Sequence, residues 1–435
     1  MPNEIDPAAS SGEGAQNAPP SPPKVYAPRV PTLCRLACQA FEWYLSDRED
    51  SPRMPGLVPR AIIAPWWEGL TRLCGGEMDR FERRLKTIIG TGEYGEADQL
   101  ALDLQKQATQ WTARLLEELG RPDGNAALKE LFADRLRIDD VREIARILPM
   151  GDKLRSQIAV AFSLLAEEGQ MDGRRIHDLS NDTIAILKQL YASWAEAFGP
   201  EACYVALALV NRMARPWQIL LVGRSLGWRP AESGTPFPEF DIVARRLLLE
   251  LERAATEIGE LVRKDDIVAF MPVIKPMTAR YIDDADGINT SFGPFAARAD
   301  APWNVAVRET HRRLSTAFDS ACLDRVAAIV LAANEDSYGG PSAEAAIAGA
   351  QFLSLLIDHG ARYGFTAAAR GCADRLAKEI EALSQQLIGE LQHAPGEALH
   401  AKIHAMLRVT EILFKDGDGA QLARNIRMAR QVNAA

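Results

Sequence analysis

PEACYVALALVNRMARPWQILLVGRSLGW, residues 200–228, decides how this chain is read. It is among the most apolar runs in the sequence, and within it Gly223-Arg224-Ser225-Leu226-Gly227 matches the nucleophile-elbow pattern of serine hydrolases. That pattern carries chemistry only on a buried strand, a strained turn and a following helix, which together lift the serine hydroxyl into the open. Gln218 to Val222 has the composition of such a strand. Pro216-Trp217 stands directly before it, however, and proline favours the first turn of a helix, where its missing N–H has no partner to lose. Trp228-Arg229-Pro230 then interrupts the helix an elbow needs after its serine, because the proline ring clashes with the preceding turn. The stretch therefore reads as two helices, Pro200 to about Ala214 and Pro216 to about Leu226, with Gly227 as the stop. On this reading Ser225 is not a nucleophile.

Working outward, the pattern stays helical. Downstream, Phe240, Ala244, Leu247, Leu251, Ala254, Ile258 and Leu261 repeat at alternating spacings of four and three, which suits a bundle seam or a coiled-coil dimer equally. Ala369, Ala373, Leu376, Ile380, Leu383 and Leu387 form a second such stripe. Upstream, Ile184, Leu187, Tyr191, Trp194 and Phe198 make one buried stripe. Val141, Ile144 and Leu148 make another, with an end expected at Pro149. Pro65-Trp66-Trp67 opens a helix towards Ile89, and Glu96 to Leu119 is the next. A single helix is expected from Trp303 to about Ala333, followed by helices over Ser342–Arg362, Ala367–Leu391 and Glu397–Phe414, and a short terminal one. Between Asp265 and Ala301 the periodicity weakens. Pro272 and Pro276 are expected to kink that segment, and Asp283 to open a loop.

The fold class that follows is all-α, an irregular multi-helix array or bundle. Arg229–Pro238 concentrates Pro230, Gly234, Pro236 and Pro238, and marks an internal boundary. It divides the chain into an N-terminal helical lobe (31–228), a linker (229–238) and a C-terminal helical lobe (239–435). Residues 1–30 hold seven prolines and few large apolar side chains. Such a segment cannot bury enough surface to offset its ordering entropy, so a disordered tail is expected.

Composition narrows function by exclusion. The chain has 435 residues, 47% hydrophobic, and a net charge of −9. Nucleic-acid binding needs a concentrated basic surface and is not expected. No stretch reaches the length of an apolar membrane span. The six cysteines, Cys34, Cys38, Cys74, Cys203, Cys322 and Cys372, form no C-x-x-C pair. Cys34 and Cys38 share a helix face, and a core role is expected for them. Reduced thiols and the lack of a signal-peptide pattern in the first residues point to a cytoplasmic location.

Three constellations invite chemistry. Gly90-Thr91-Gly92-Glu93-Tyr94-Gly95 matches G-x-G-x-x-G, but helices flank it where a dinucleotide site needs a strand, so it reads as a helix–helix turn. Asp283, Asp284 and Asp286 cluster oxygens that a hard cation favours. Over four residues they resemble the aspartate-rich Mg²⁺ motif of prenyl-diphosphate enzymes, with the last carboxylate one position early and no second motif; Asp286-Gly287 also reads as a turn. Glu397, His400 and His404 fall on one helical face at metal-ligand spacing. These six residues are the candidate metal ligands. No cofactor is implied and no complete catalytic set appears. The expectation is a helical scaffold or interaction protein that binds a protein partner or itself. The alternatives are a helical metal-dependent enzyme and a regulatory protein with a small ligand between its lobes.

Overall fold

A computed structural model describes residues 32–46, 54–92, 95–122, 137–173, 175–230, 234–264, 267–292, 302–332, 341–360, 364–393 and 397–414, with isolated positions 126, 130, 424 and 428. The tail over 1–30 and the short terminal helix lie outside these residues, the latter apart from positions 424 and 428.

Among the described residues the chain is helical apart from connecting turns and two pairs of two-residue strands. Helix α1 (Leu33–Cys38) is capped by Thr32, whose hydroxyl accepts the Arg35 N–H at 3.2 Å, and it tightens into a 3₁₀ turn over Gln39–Tyr44. Strand β1 (Leu45–Ser46) pairs in parallel with β2 (Val58–Pro59). Helices α2 (Ile63–Thr91), α3 (Gly95–Gly120), α4 (Ile138–Lys153) and α5 (Arg155–Glu167) follow, with α3 packed on α1, α2 and α4. The hairpin β3 (Met171–Asp172) and β4 (Arg175–Ile176) leads to α6 (Asn181–Phe198). The apolar stretch that follows forms a 3₁₀ turn (Gly199–Ala202), α7 (Cys203–Val210), a second 3₁₀ turn (Pro216–Gln218) and α8 (Ile219–Ser225). Next come α9 (Phe240–Arg263), α10 (Ile267–Phe292), α11 (Pro302–Ala317), α12 (Ser320–Leu331), α13 (Pro341–His359), α14 (Thr366–His393) and α15 (Glu397–Leu413).

Three expectations are corrected. Helix α4 does not end at Pro149 but continues to Lys153. Ile147, Leu148 and Leu154 are all buried around the proline, and their burial outweighs a helix penalty of about 3 kcal/mol. Likewise α10 runs unbroken through Pro272 and Pro276, and Asp283 to Asp286 lie mid-helix rather than in a loop. Its buried positions, Ile267, Met271, Ile274, Thr278, Tyr281, Ala285, Ile288 and Phe292, make one continuous stripe across both prolines. The single helix expected after Trp303 divides at Asp319, which leaves helical geometry and accepts the Cys322 N–H at 2.8 Å as an N-cap.

Both heptad stripes face inward. Helix α9 packs on α10 and α11, and α14 packs on α12, α13 and α15. Buried apolar residues from Leu33 to Leu413 form one core cluster that continues from one side of residues 229–238 to the other. No helix among the described residues is long and apolar enough to cross a membrane.

Candidate functional site

The three defining residues of the elbow-like motif, Gly223, Ser225 and Gly227, each have a structural explanation. A Cβ at Gly223 would meet the Phe240 ring at 2.7 Å, so glycine lets α8 approach α9. The Ser225 hydroxyl donates back to the Val222 carbonyl at 2.7 Å, which occupies its proton within the helix. Gly227 has φ +90°, a conformation that ends the helix and favours glycine. In the other glycine motif Gly92 has φ +71° and closes α2, as a helix–helix turn requires.

The same stretch does build a site, one turn earlier. Between α7 and the 3₁₀ turn at Pro216, residues 211–215 are pinned by backbone bonds to β4. Ile176 N–H donates to the Arg212 carbonyl at 2.9 Å, and Ala214 N–H donates to the Ile176 carbonyl at 2.8 Å. This segment forms one wall of a cavity of about 290 Å³. Strand β1 and Leu57 form a second wall, and α9 and α10 supply Arg246, Leu247, Glu250, Arg280, Asp284 and Ile288.

The charge in this cavity is concentrated and partly buried. The Arg246 side chain is 3% exposed and pairs with Glu250 at 2.6 Å. It also donates to the Asn211 Oδ1 at 3.4 Å and contacts the Met54 sulfur. Asn211 is itself fixed, since its Nδ2 donates to the Gly56 carbonyl at 2.8 Å and the Trp43 carbonyl at 3.3 Å. Glu250 continues the ladder to Arg253 at 3.3 Å, and Arg253 to Glu257 at 3.1 Å. Arg212 donates to the Glu42 carbonyl at 3.3 Å. Arg280 faces Asp284 at 3.6 Å. Arg212, Arg246 and Arg280 against Glu250 and Asp284 leave one positive charge in excess. Trp217 closes the side of the cavity next to α10, its Nε1 donating to Asp283 at 3.4 Å.

The candidate metal ligands are distributed as follows. Asp284 lines the cavity, Asp283 pairs with Arg215 at 3.1 Å, and Asp286 acts on His311 of α11. Burial pushes His311 down to about 4, against the pull of Asp286. Glu397, His400 and His404 lie on α15, where His404 is half-buried; the side chains of Glu397 and His400 lie outside what is described. Among the described residues no three His, Cys, Asp or Glu side chains converge on a position for a metal ion.

Burial pushes Asp284 up to about 6; Arg280 opposes the rise, and Asp283 and Glu250 add to it. Between pH 4 and 6 the folded protein therefore holds this proton more tightly than the unfolded chain, and stability falls as pH rises through that window. The full loss is on the order of 2–3 kcal/mol. Asp284→Asn is expected to remove it, raising the urea midpoint at pH 7.5 and flattening the dependence between pH 4 and 6. A variant no more stable than the parent at pH 7.5 contradicts the assignment.

Arg246 is not legible in the sequence as a site residue. Its neighbours Glu250, Arg253 and Glu257 alternate in sign at helical spacing, which reads as a solvated face. Compared with protein-family models, curated proteins and solved structures, the chain matches none.

Proposed function

We propose that this protein binds a small organic anion, most simply a monocarboxylate, in the cavity between the α7–α8 connection, α9 and α10. The observation that carries the reading is Arg246, a guanidinium buried on the wall of a cavity and oriented by Glu250 and Asn211. Taking an ion pair out of water costs several kcal/mol per ion, and apolar residues of similar volume commonly serve stability as well or better. A buried arginine on the lining of a cavity thus favours recognition over stability. Arg212 and Arg280 add cations, and the single positive charge in excess among the described lining residues suits a monoanion. Leu45, Leu57, Met213, Trp217 and Leu247 supply an apolar surround for the ligand body. The heptad stripes that favoured a scaffold are packed inside the fold, so the cavity is the feature that distinguishes the readings.

The test separates binding from stability. Acetate, pyruvate, benzoate and phosphate are screened at low ionic strength by thermal shift and calorimetry. At a hundredfold excess over Kd, a ligand that binds only the folded state adds about 2.7 kcal/mol. The double variant Arg246→Met with Glu250→Met keeps the site's volume, and Arg253 retains Glu257. It is expected to fold with stability within about 1–2 kcal/mol of the parent, or above it, and to lose the ligand shift. No shift with any anion, or an equal shift in the double variant, overturns the proposal.

A further inference from the structure

Two thiols share one groove at the beginning of the described chain. Cys34 and Cys38 stand one turn apart on α1, and both line an open cavity of about 880 Å³. Cys34 is half-buried, whereas Cys38, Cys74, Cys203, Cys322 and Cys372 are all buried. Arg35, Arg60, Arg155 and Arg212 line the same groove; Glu42, paired with Arg60 at 2.9 Å, is the carboxylate among its described lining residues. Among the described lining residues, three positive charges are therefore in excess.

The thiols are not equivalent. The neighbouring Cys38 side chain holds the Cys34 thiol below the usual range, against the effect of burial. Cys34 and burial together hold the Cys38 thiol far above that range. Exchange proceeds through the thiolate, and reactive cysteines are those that are partly exposed in electropositive surroundings. Cys34 meets each condition.

We propose that Cys34 is a modification site for small disulfides that carry carboxylates, with the arginine-lined groove binding the anionic ends. The Cys34 thiolate attacks one sulfur of the incoming disulfide. A new S–S bond forms to Cys34 while the original S–S bond breaks. The other half leaves as a thiolate and takes a proton from water. One disulfide is exchanged for another, and no separate oxidant is consumed. The pair does not close on itself, because i,i+4 Cβ atoms on a helix stand about 5–6 Å apart and a disulfide requires about 3.8 Å. Cys38 is thus a positioning residue that keeps Cys34 reactive. The arginines pair with carboxylates through charge-assisted hydrogen bonds.

The test uses the full chain under native conditions with two reagents, 5,5′-dithiobis(2-nitrobenzoate), which is anionic, and bis(2-hydroxyethyl) disulfide, which is neutral. The ratio of their rates on the protein is divided by the ratio of their rates on N-acetylcysteine amide, which removes the intrinsic difference between the reagents. The expected result is one early adduct, mapped to Cys34, with the divided ratio favouring the anionic reagent about tenfold and the advantage lost in high salt. Cys34→Ser abolishes the adduct. Cys38→Ala slows the reaction at pH 6.5 and slows it less at pH 9.5, nearer the ordinary ionisation range of a thiol. A first adduct on another cysteine, or no anionic preference in the unsubstituted protein, overturns the proposal without reliance on any variant. A Cys38→Ala rate unchanged at every pH overturns the role given to Cys38.

Discussion

Replacing Leu247 and Leu251 together with aspartate is expected to abolish the folded state. Both side chains are buried, at 4% and 2% exposure, on the face of α9 that packs against α10 and α11. Removing the apolar volume of a buried leucine costs about 2–5 kcal/mol at each site. Each aspartate then needs either a partner or a proton in an apolar setting, at a further cost. The total equals or exceeds the roughly 5–15 kcal/mol by which a domain is stable. Circular dichroism should show no cooperative melt, and size-exclusion chromatography an expanded or aggregated chain. A folded monomer obtained from a parent dimer would instead make the stripe a dimer seam. An unchanged protein would contradict the packing of α9 altogether.

The second large effect is expected at Gly287. A Cβ there would lie 2.1 Å from Trp217 Cδ2 and 2.2 Å from Cε2, far inside van der Waals contact. In an exposed helix interior Gly→Ala gains about 1 kcal/mol. Here the sign reverses, because the indole must move and overpacking costs about 1–3 kcal/mol. Trp217 cannot shift freely, being held by its bond to Asp283. Since it also lines the cavity, Gly287→Ala should both lower the urea midpoint and weaken anion binding, and Gly287→Val should do so more severely. A stabilised Gly287→Ala protein would show that the indole does not rest on α10.

Particular residues show how far the sequence can be read. Gly227 as a helix stop and Pro216 as a helix start are legible, because each acts through its own backbone geometry. Gly287 reads wrongly as part of a turn for the converse reason. Its need for glycine arises from Trp217, distant in the chain, and nothing local records that approach. The α9 stripe is legible as a stripe but drifts in its second half. Ala255, Ile258 and Val262 are buried where strict repetition places Ala254, Ile258 and Leu261. A straight helix turns every 3.6 residues, so a heptad pattern slides around it.

What the sequence by itself determined is the helical class, most helix positions, and the rejection of the serine-hydrolase and dinucleotide motifs. These depend on periodicity and on proline and glycine geometry, which act over a few residues. Tertiary structure alone decided that α4 and α10 pass through their prolines, that the heptad stripes are core, and that Arg246 is buried. Arg246 meets Asn211 at a separation of 35 positions and Met54 at 192. Burial is a property of what packs against a residue, and for the charged face of α9 those neighbours are brought in from distant parts of the chain.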